Sequence, residues 1–210
     1  MVERTAADSM PFSLTLGKAR IEALSDGVFA IAMTLLVLKL EVPEVMHHSS
    51  NAEMLRQMLE LTPAFLTYVV TFLIAGGFWF LHHLTFHFIR HVDTALVWIN
   101  LVFLMLVALL PFSAGLMNHL LVHPVSQLFY YGNQLLIAVV LNVHWHYARW
   151  KKLVVGDPPE EMLRLTYRSA SAAAAFAAGM ITAVFLPMYS AVAFAVVLLG
   201  GVTAEHARLR

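Results

Sequence analysis

Apolar residues gather into six stretches, each near the roughly 20 residues that a bilayer-crossing helix needs. Proline, glycine and charged clusters limit them to about 20–40, 62–86, 94–117, 125–148, 168–186 and 188–205. The last two share one apolar run broken only around Pro187, Tyr189 and Ser190. A single kinked helix is the competing division there, but the run from Ser169 to Thr203 is far longer than one span requires. The pattern therefore predicts an all-α polytopic membrane protein with six transmembrane helices. Between the first two spans, Val42 to Leu61 holds the segment MLRQMLEL among Glu41, Glu44, Glu53 and Glu60, which reads as a short amphipathic piece. Between the fourth and fifth, Lys151 to Thr166 holds an Asp157-Pro158-Pro159 turn. Neither loop reads as a soluble domain, and the six-helix unit shows no internal repeat, so a symmetric pore would need several chains.

Composition agrees with this division. Hydrophobic residues make up 60% of the 210-residue chain and charged residues 12%, whereas soluble domains run near half and a quarter. The formal net charge is zero and there is no cysteine, so nothing points to nucleic acid, a disulfide framework or a thiolate metal site. Residues 1–19 lack the apolar core of a secretory signal and read as a short solvated tail ahead of a helical domain at 20–210. With six spans and both termini cytoplasmic, the inner segments hold Arg4, Lys18, Arg20, Arg90, Arg149, Lys151, Lys152, Arg164, Arg168, Arg208 and Arg210, and only Lys39 and Arg56 fall outside. That asymmetry follows the positive-inside rule. Trp145, Tyr147 and Trp150 fit an aromatic belt at the inner interface, with Tyr130 and Tyr131 as its counterpart outside.

The first span carries the chemistry that most needs a reason. RIEALSDGVFAIAMTLLVLKLEVP, from Arg20 to Pro43, opens with an arginine, a serine and an aspartate. A charged side chain at membrane depth costs a few kcal/mol on insertion scales, about 3 for Asp, so such a residue faces protein or water and has a partner. At about 100° per residue, Leu24, Gly27, Ile31, Thr34, Leu35 and Leu38 share one face, while Asp26 lies about 140° from Ile31. Ser25 and Asp26 are either an ordinary N-terminal turn placed well for the helix dipole or a hydrogen-bonded knot that fixes helix packing.

Arg20, Ser25 and Asp26 followed by Ala30, Ile31, Thr34, Leu35, Leu36 and Leu38 resemble the signature of the transmembrane protein 175 family. This family comprises the lysosomal-type potassium channels and their shorter prokaryotic relatives. In it an R-x-x-x-F-S-D motif opens the first helix and runs into A-I-x-x-T-L-L-x-L. This chain departs at Leu24, where the family usually has Phe. Six helices and the segment GGFWFLHHL in the second are also similar. The resemblance implies a potassium-selective homotetramer in the lipid bilayer, with prokaryotic plasma membrane as its location and no cofactor beyond the permeant potassium ion. Its pore would be lined by the first helix: Ile31 as hydrophobic constriction, Leu35 and Leu38 as further apolar rings, Thr34 as a ring of hydroxyls. Arg20, Ser25 and Asp26 would organise the fold behind the pore, with Trp79, His82, His83 and Asn100 as partners on helices two and three.

Histidines support two rival readings. His83, His87 and His91 repeat every fourth residue beside His82, a stripe able in principle to hold a metal or haem, and His144 and His146 extend the idea to a membrane metalloenzyme. The usual spaced histidine boxes and an acidic second shell are absent. A proton-coupled transporter would use Asp26 and the histidines as a relay, yet Pro111 is one helix break without a twin in a matching half. His47, His48, His119 and His123 offer a pH-sensitive outer surface. Asn100, Asn133, Gln134 and Asn142 are expected to join helices by hydrogen bonds, and the Ala-rich run from Ala170 to Gly179 to allow close packing. Tyr131 to Asn133, YGN, is too short for a carbonyl filter.

Overall fold

The computed structural model describes residues 17–41, 50–119, 123–155 and 160–198. The tail before residue 17, Glu44, His47, His48, the Asp157-Pro158-Pro159 turn, Arg208, Arg210 and the last residues of the sixth expected span lie outside the described residues, as does the side chain of His119. The described chain is helical: α1 (Lys18–Leu35), α2 (Asn51–Glu60), α3 (Thr62–Phe88), α4 (Thr94–Ala108), α5 (Leu110–His119), α6 (Pro124–Trp150), α7 (Glu160–Phe185) and the short apolar α8 (Pro187–Leu198), which opens with a 3-10 turn.

Four stretches among the described residues have the length and apolarity to cross a membrane: Lys18–Lys39, Thr62–Phe88, Thr94–Asn118 and Thr166–Phe185. The third is α4 and α5 together. It breaks at Leu109, two residues before Pro111, because proline offers no amide proton to the carbonyl one turn back. The fifth and sixth expected spans are separate helices, parted at Leu186 before Pro187. α6, the fourth expected span, is 27 residues long but does not share the apolarity of the other four. The reason lies in packing: α4, α5 and α7 cover one side of it, and its buried residues there include Ser126, Gln127, Asn133, Gln134 and His144, while Val125, Phe129, Leu136, Val139 and Val143 are exposed. A helix face shielded from lipid by protein need not be apolar.

Local sequence sets most helix ends. Ser50 caps α2 by accepting from the Glu53 amide, and Asp93 caps α4 by accepting from that of Leu96. Pro63 and Pro124 stand in the first turns of α3 and α6, where a missing amide proton costs nothing. The inner loop is shorter than expected, since α7 begins at Glu160 rather than after Thr166.

The main core joins α1, α3, α4, α5, α6 and α7 around Phe29, Phe78, Phe103, Val107, Ile137 and Phe176. α6 and α7 form the largest interhelical contact, with Gly179 against the Tyr131 ring, where a Cβ would come within 3.0 Å of two ring carbons. This is the close approach expected of the Ala-rich segment. Tyr130 and Tyr131 are buried in this core rather than lying at an interface, and Tyr130 bonds Thr71 across 2.8 Å. At the other end Trp145 is also buried, while Trp150 is exposed, beneath Lys151 at 4.6 Å.

Candidate pore helix and the polar knot behind it

α1 is two-sided. Ile21, Ser25, Phe29, Ala32 and Leu36 are its buried residues and fall within an arc of about 80° at 100° per residue. Leu24, Gly27, Ile31, Thr34 and Leu35 are exposed on another arc, with Ile31 61% accessible. The α-helix ends at Leu35, and Leu38 sits on a 3-10 turn, Val37–Lys39, where it too is exposed. The first span is thus α-helical for a shorter stretch than expected. Lys39 explains the change: its stem lies on α5, where the missing side chain of Gly115 leaves room, and its carbonyl accepts from Asn118 at 3.4 Å.

The Thr34 hydroxyl donates to the Ile31 carbonyl at 2.9 Å. With its proton so engaged, the oxygen presents only lone pairs to the exposed side, the electronic arrangement of a cation ligand. One turn below, Ile31 is the most accessible large apolar residue of α1 itself. An apolar ring followed by oxygen ligands is therefore available if copies of this face are brought together.

Behind that face lies a hydrogen-bonded knot. Ser25 donates to the Ile21 carbonyl at 2.8 Å and accepts from Asn100 Nδ2 at 3.2 Å. The Asn100 carbonyl oxygen faces His82 Nε2 at 2.9 Å. These contacts fix one another: Ser25 has spent its proton on the backbone, so Asn100 must turn its NH2 toward it, and His82 must then donate from Nε2. All three are buried. The His82 ring stacks on Phe86 at 4.4 Å and Phe103 at 5.1 Å, and Phe29 of α1 packs on both Phe103 and His82. Trp79 donates its indole N–H to Asp26 at 2.8 Å, with the His83 ring stacked 5.9 Å away.

Six of the seven residues expected to form this polar group therefore fall into two sets of contacts: Ser25, His82 and Asn100 join α1, α3 and α4, while Asp26 and Trp79 join α1 to α3, with His83 stacked on Trp79 of its own helix. Arg20 joins neither; it is exposed and has no side-chain hydrogen bond or ion pair among the described residues. Leu24, the departure from the family motif, is on the exposed arc, so the smaller side chain leaves no gap in the core.

The histidine stripe does not hold together. α3 ends at Phe88, where Ile89 turns into an antiparallel bridge with Val154, so His91 leaves the line of His83 and His87. Among the described residues no three histidines or carboxylates are grouped to hold a metal. The rival metalloenzyme reading would need His144 and His146 together, yet His144 is buried edge-on to His82, 6.0 Å away, while exposed His146 bonds its own helix backbone. Nothing in the periodicity flags His144, because an imidazole inside an apolar run looks the same at a core or a surface position. Asp93, which also accepts from the Tyr147 hydroxyl at 2.7 Å, was legible as a helix cap but escaped notice.

Comparison with known proteins converges on one family. Residues 20–111 match the model of the endosomal/lysosomal potassium channel TMEM175. A potassium channel of Chamaesiphon minutus is 39% identical over 134 residues, covering 61% of this chain and 64% of that one. A potassium channel of Streptomyces collinus is 40% identical over 103 residues, 47% of this chain and 46% of its own. The endosomal/lysosomal proton channel TMEM175 of Danio rerio is 39% identical over 89 residues, 38% of this chain and 17% of its own. The matched stretch thus falls short of two thirds of these relatives' lengths. The crystal structure of a lysosomal potassium-selective channel TMEM175 homolog from Chamaesiphon minutus superposes with a TM-score of 0.75 at 29% identity, over 90% of this chain and 97% of that one. With the motif-bearing helix inside the family match and the fold shared across nearly its whole length with a solved homolog, this chain is similar to the TMEM175 family in sequence over residues 20–111 and in fold beyond them.

Proposed function

We propose that the protein is a potassium channel, a homotetramer in which four copies of α1 surround a central pore. The observation that carries the reading is the unpartnered arc of α1. The helix is anchored by one side into its own protomer and leaves Ile31, Thr34 and Leu35 uncovered, with Leu38 beyond. In this reading four Ile31 side chains form a constriction that opens and closes by wetting, and four Thr34 oxygens replace part of the ion's lost hydration. Leu35 and Leu38 extend the apolar lining. Arg20, Ser25 and Asp26, with Trp79, His82, His83 and Asn100, hold the helix from behind and touch no ion. Conduction is passive, with no bond made or broken.

The topology proposed for each copy is six spans, with α6 and α8 completing the four apolar ones and both termini cytoplasmic. The distribution of Lys and Arg supports that orientation. Residues 1–19 form the cytoplasmic tail, and the location proposed is a prokaryotic plasma membrane. The bacterial relatives carry the name potassium channel and the vertebrate ones proton channel; the former match over 47–61% of this chain and the latter over 38–53%, and the solved neighbour that superposes over 90% of this chain is a potassium-selective channel homolog. That balance favours potassium.

The test is flux from liposomes holding purified protein, with potassium, sodium and proton gradients imposed separately. Potassium flux should exceed sodium flux, Ile31→Asn should raise conductance or loosen selectivity, and Thr34→Ala should shift the potassium preference with the tetramer intact. If folded tetramers carry protons only, the substrate is wrong; if neither substitution changes permeation, the pore is not lined by α1.

A further inference from the structure

The helix before α3 takes no part in conduction as proposed, and its two faces are sharply divided. At 100° per residue, Glu53, Arg56, Gln57 and Glu60 of α2 fall within an arc of about 100°, and Met54, Leu55, Met58 and Leu59 within an opposing arc of about 140°. All four apolar side chains are exposed. On the polar arc Arg56 forks onto Glu53 at 2.7 and 3.2 Å and reaches Glu60 at 3.0 Å. The face is thus nearly neutralised, and its ion pairs sit in the solvent they need.

Length settles where α2 can be. α3 alone is 27 residues, about 40 Å at 1.5 Å per residue, already more than the hydrocarbon core of about 30 Å. A straight continuation through α2, from residue 51 to 88, would reach about 57 Å. The helical hydrogen-bond ladder is interrupted at Leu61, since Pro63 cannot donate to the Leu59 carbonyl and the Thr62 hydroxyl takes that place, which gives α2 a point at which to bend off the α3 axis. Beyond the break, the apolar arc continues onto Phe65 and Leu66, which are exposed on the membrane-spanning α3.

From this geometry we infer that α2 lies along the bilayer surface, its Met54, Leu55, Met58 and Leu59 side chains immersed among lipid acyl chains beneath the headgroups. The partner is lipid. A ten-residue helix presenting four side chains is well short of the roughly 800 Å² per partner of a stable protein interface, whereas immersion in the headgroup boundary needs only a continuous apolar stripe. The polar face has two carboxylates and one guanidinium, so immersion draws nothing from anionic headgroups and is indifferent to salt.

The absence of cysteine makes the test direct. Leu55→Cys, Met58→Cys and Glu60→Cys, each spin-labelled in the full chain and reconstituted into phosphatidylcholine vesicles, are compared by power saturation with oxygen, which partitions into lipid, and with a water-soluble nickel chelate. Leu66→Cys on α3 reports insertion in the same preparation, and Leu59→Cys replaces either apolar position if a variant fails to insert. Labels at 55 and 58 should favour oxygen as the label at 66 does, while that at 60 favours nickel. Adding phosphatidylglycerol or salt should leave the contrast unchanged. Nickel access at 55 and 58 equal to that at 60 would show α2 projecting into water and overturn the inference. So would protection of 55 and 58 from both reagents, which would show a second copy covering the face.

Discussion

Replacing Asn100 by Leu removes both contacts of the residue that ties α1 to α3, and the structure indicates which loss matters. Ser25 keeps its bond to the Ile21 carbonyl, so it remains satisfied. His82 does not: its Nε2–H loses the Asn100 oxygen at 2.9 Å and is left between Phe86 and Phe103, only 3% accessible. A buried donor without a partner costs about 1–3 kcal/mol, whereas replacing both partners by apolar groups of similar shape is nearly neutral. Hydrogen bonds between helices in membranes couple by about 0.6 kcal/mol on average and about 1.7 at most. Because His82 is enclosed by aromatic rings, its coupling to Asn100 should fall in the upper part of that range, at about 1–1.7 kcal/mol.

The corresponding measurement is a double-mutant cycle with Asn100→Leu, His82→Phe and the pair, each unfolded from mixed micelles by rising dodecyl sulfate and followed by helical ellipticity. The Leu variant should lose about 2 kcal/mol, and the pair should lose less than the two single losses added, by the coupling energy. Additivity within about 0.5 kcal/mol, the usual result for independent sites, would refute the knot as an energetic unit.

Two further outcomes follow from the geometry. Gly179→Ala places a methyl 3.0 Å from the buried Tyr131 ring, so α6 and α7 must separate slightly; a loss of about 1–3 kcal/mol in the same unfolding assay is expected, and an unchanged midpoint would mean that the ring moves freely. Asp26→Ala takes away the acceptor of the Trp79 indole and should lower the yield of tetramer, measured by size-exclusion with light scattering, more than it alters ion preference, whereas normal tetramers with changed selectivity would place Asp26 in the permeation path.

The sequence shows the architecture more completely than the tertiary detail, for identifiable reasons. The two-sidedness of α1 could be read from period alone, because Leu24, Gly27, Ile31, Thr34, Leu35 and Leu38 share one face at helical spacing and leave Ser25 and Asp26 on others. The partners of Ser25 and Asp26 come from the family resemblance, which puts Trp79, His82, His83 and Asn100 behind the first helix; period alone does not select them from the other polar residues of the next two spans, such as Thr71, Thr85 and Ser113. Arg20 shows the limit of that resemblance, since a residue at a helix entrance can be exposed, and the protomer leaves it so. His91 fails differently. Its place on the stripe required α3 to continue, and the helix ends where Ile89 pairs with Val154, a contact 65 positions away that local periodicity cannot express. α6 is the reverse case, a helix whose polar residues Gln127, Asn133, Gln134 and His144 lie on the side its neighbours cover, so its low apolarity does not mark it as outside the bundle. Tyr130 and Tyr131, whose residue type suits a membrane interface, are instead buried against α3, α7 and α8.

The knot contributes more to orientation than its energy suggests. Burial along Ile21, Phe29, Ala32 and Leu36 would hold α1 against its protomer even if Ser25 were apolar, and a hydrogen bond worth about 1–1.7 kcal/mol adds little to such a contact. Apolar packing, however, tolerates rotation, because branched side chains separated by 40–60° are nearly equivalent to a greasy neighbour. A pore does not. Turning α1 by one residue, about 100°, would move Ile31 off the axis, in one sense toward Ala30 and the Asp26 side of the helix. A hydrogen bond is lost over a few tenths of an ångström and a few tens of degrees, so Ser25 held by Asn100 sets the angle at which the opposite arc faces. Buried polar groups of modest stability are best attested as devices for register. Here the register is rotational, and Ile31 is where its precision would be felt.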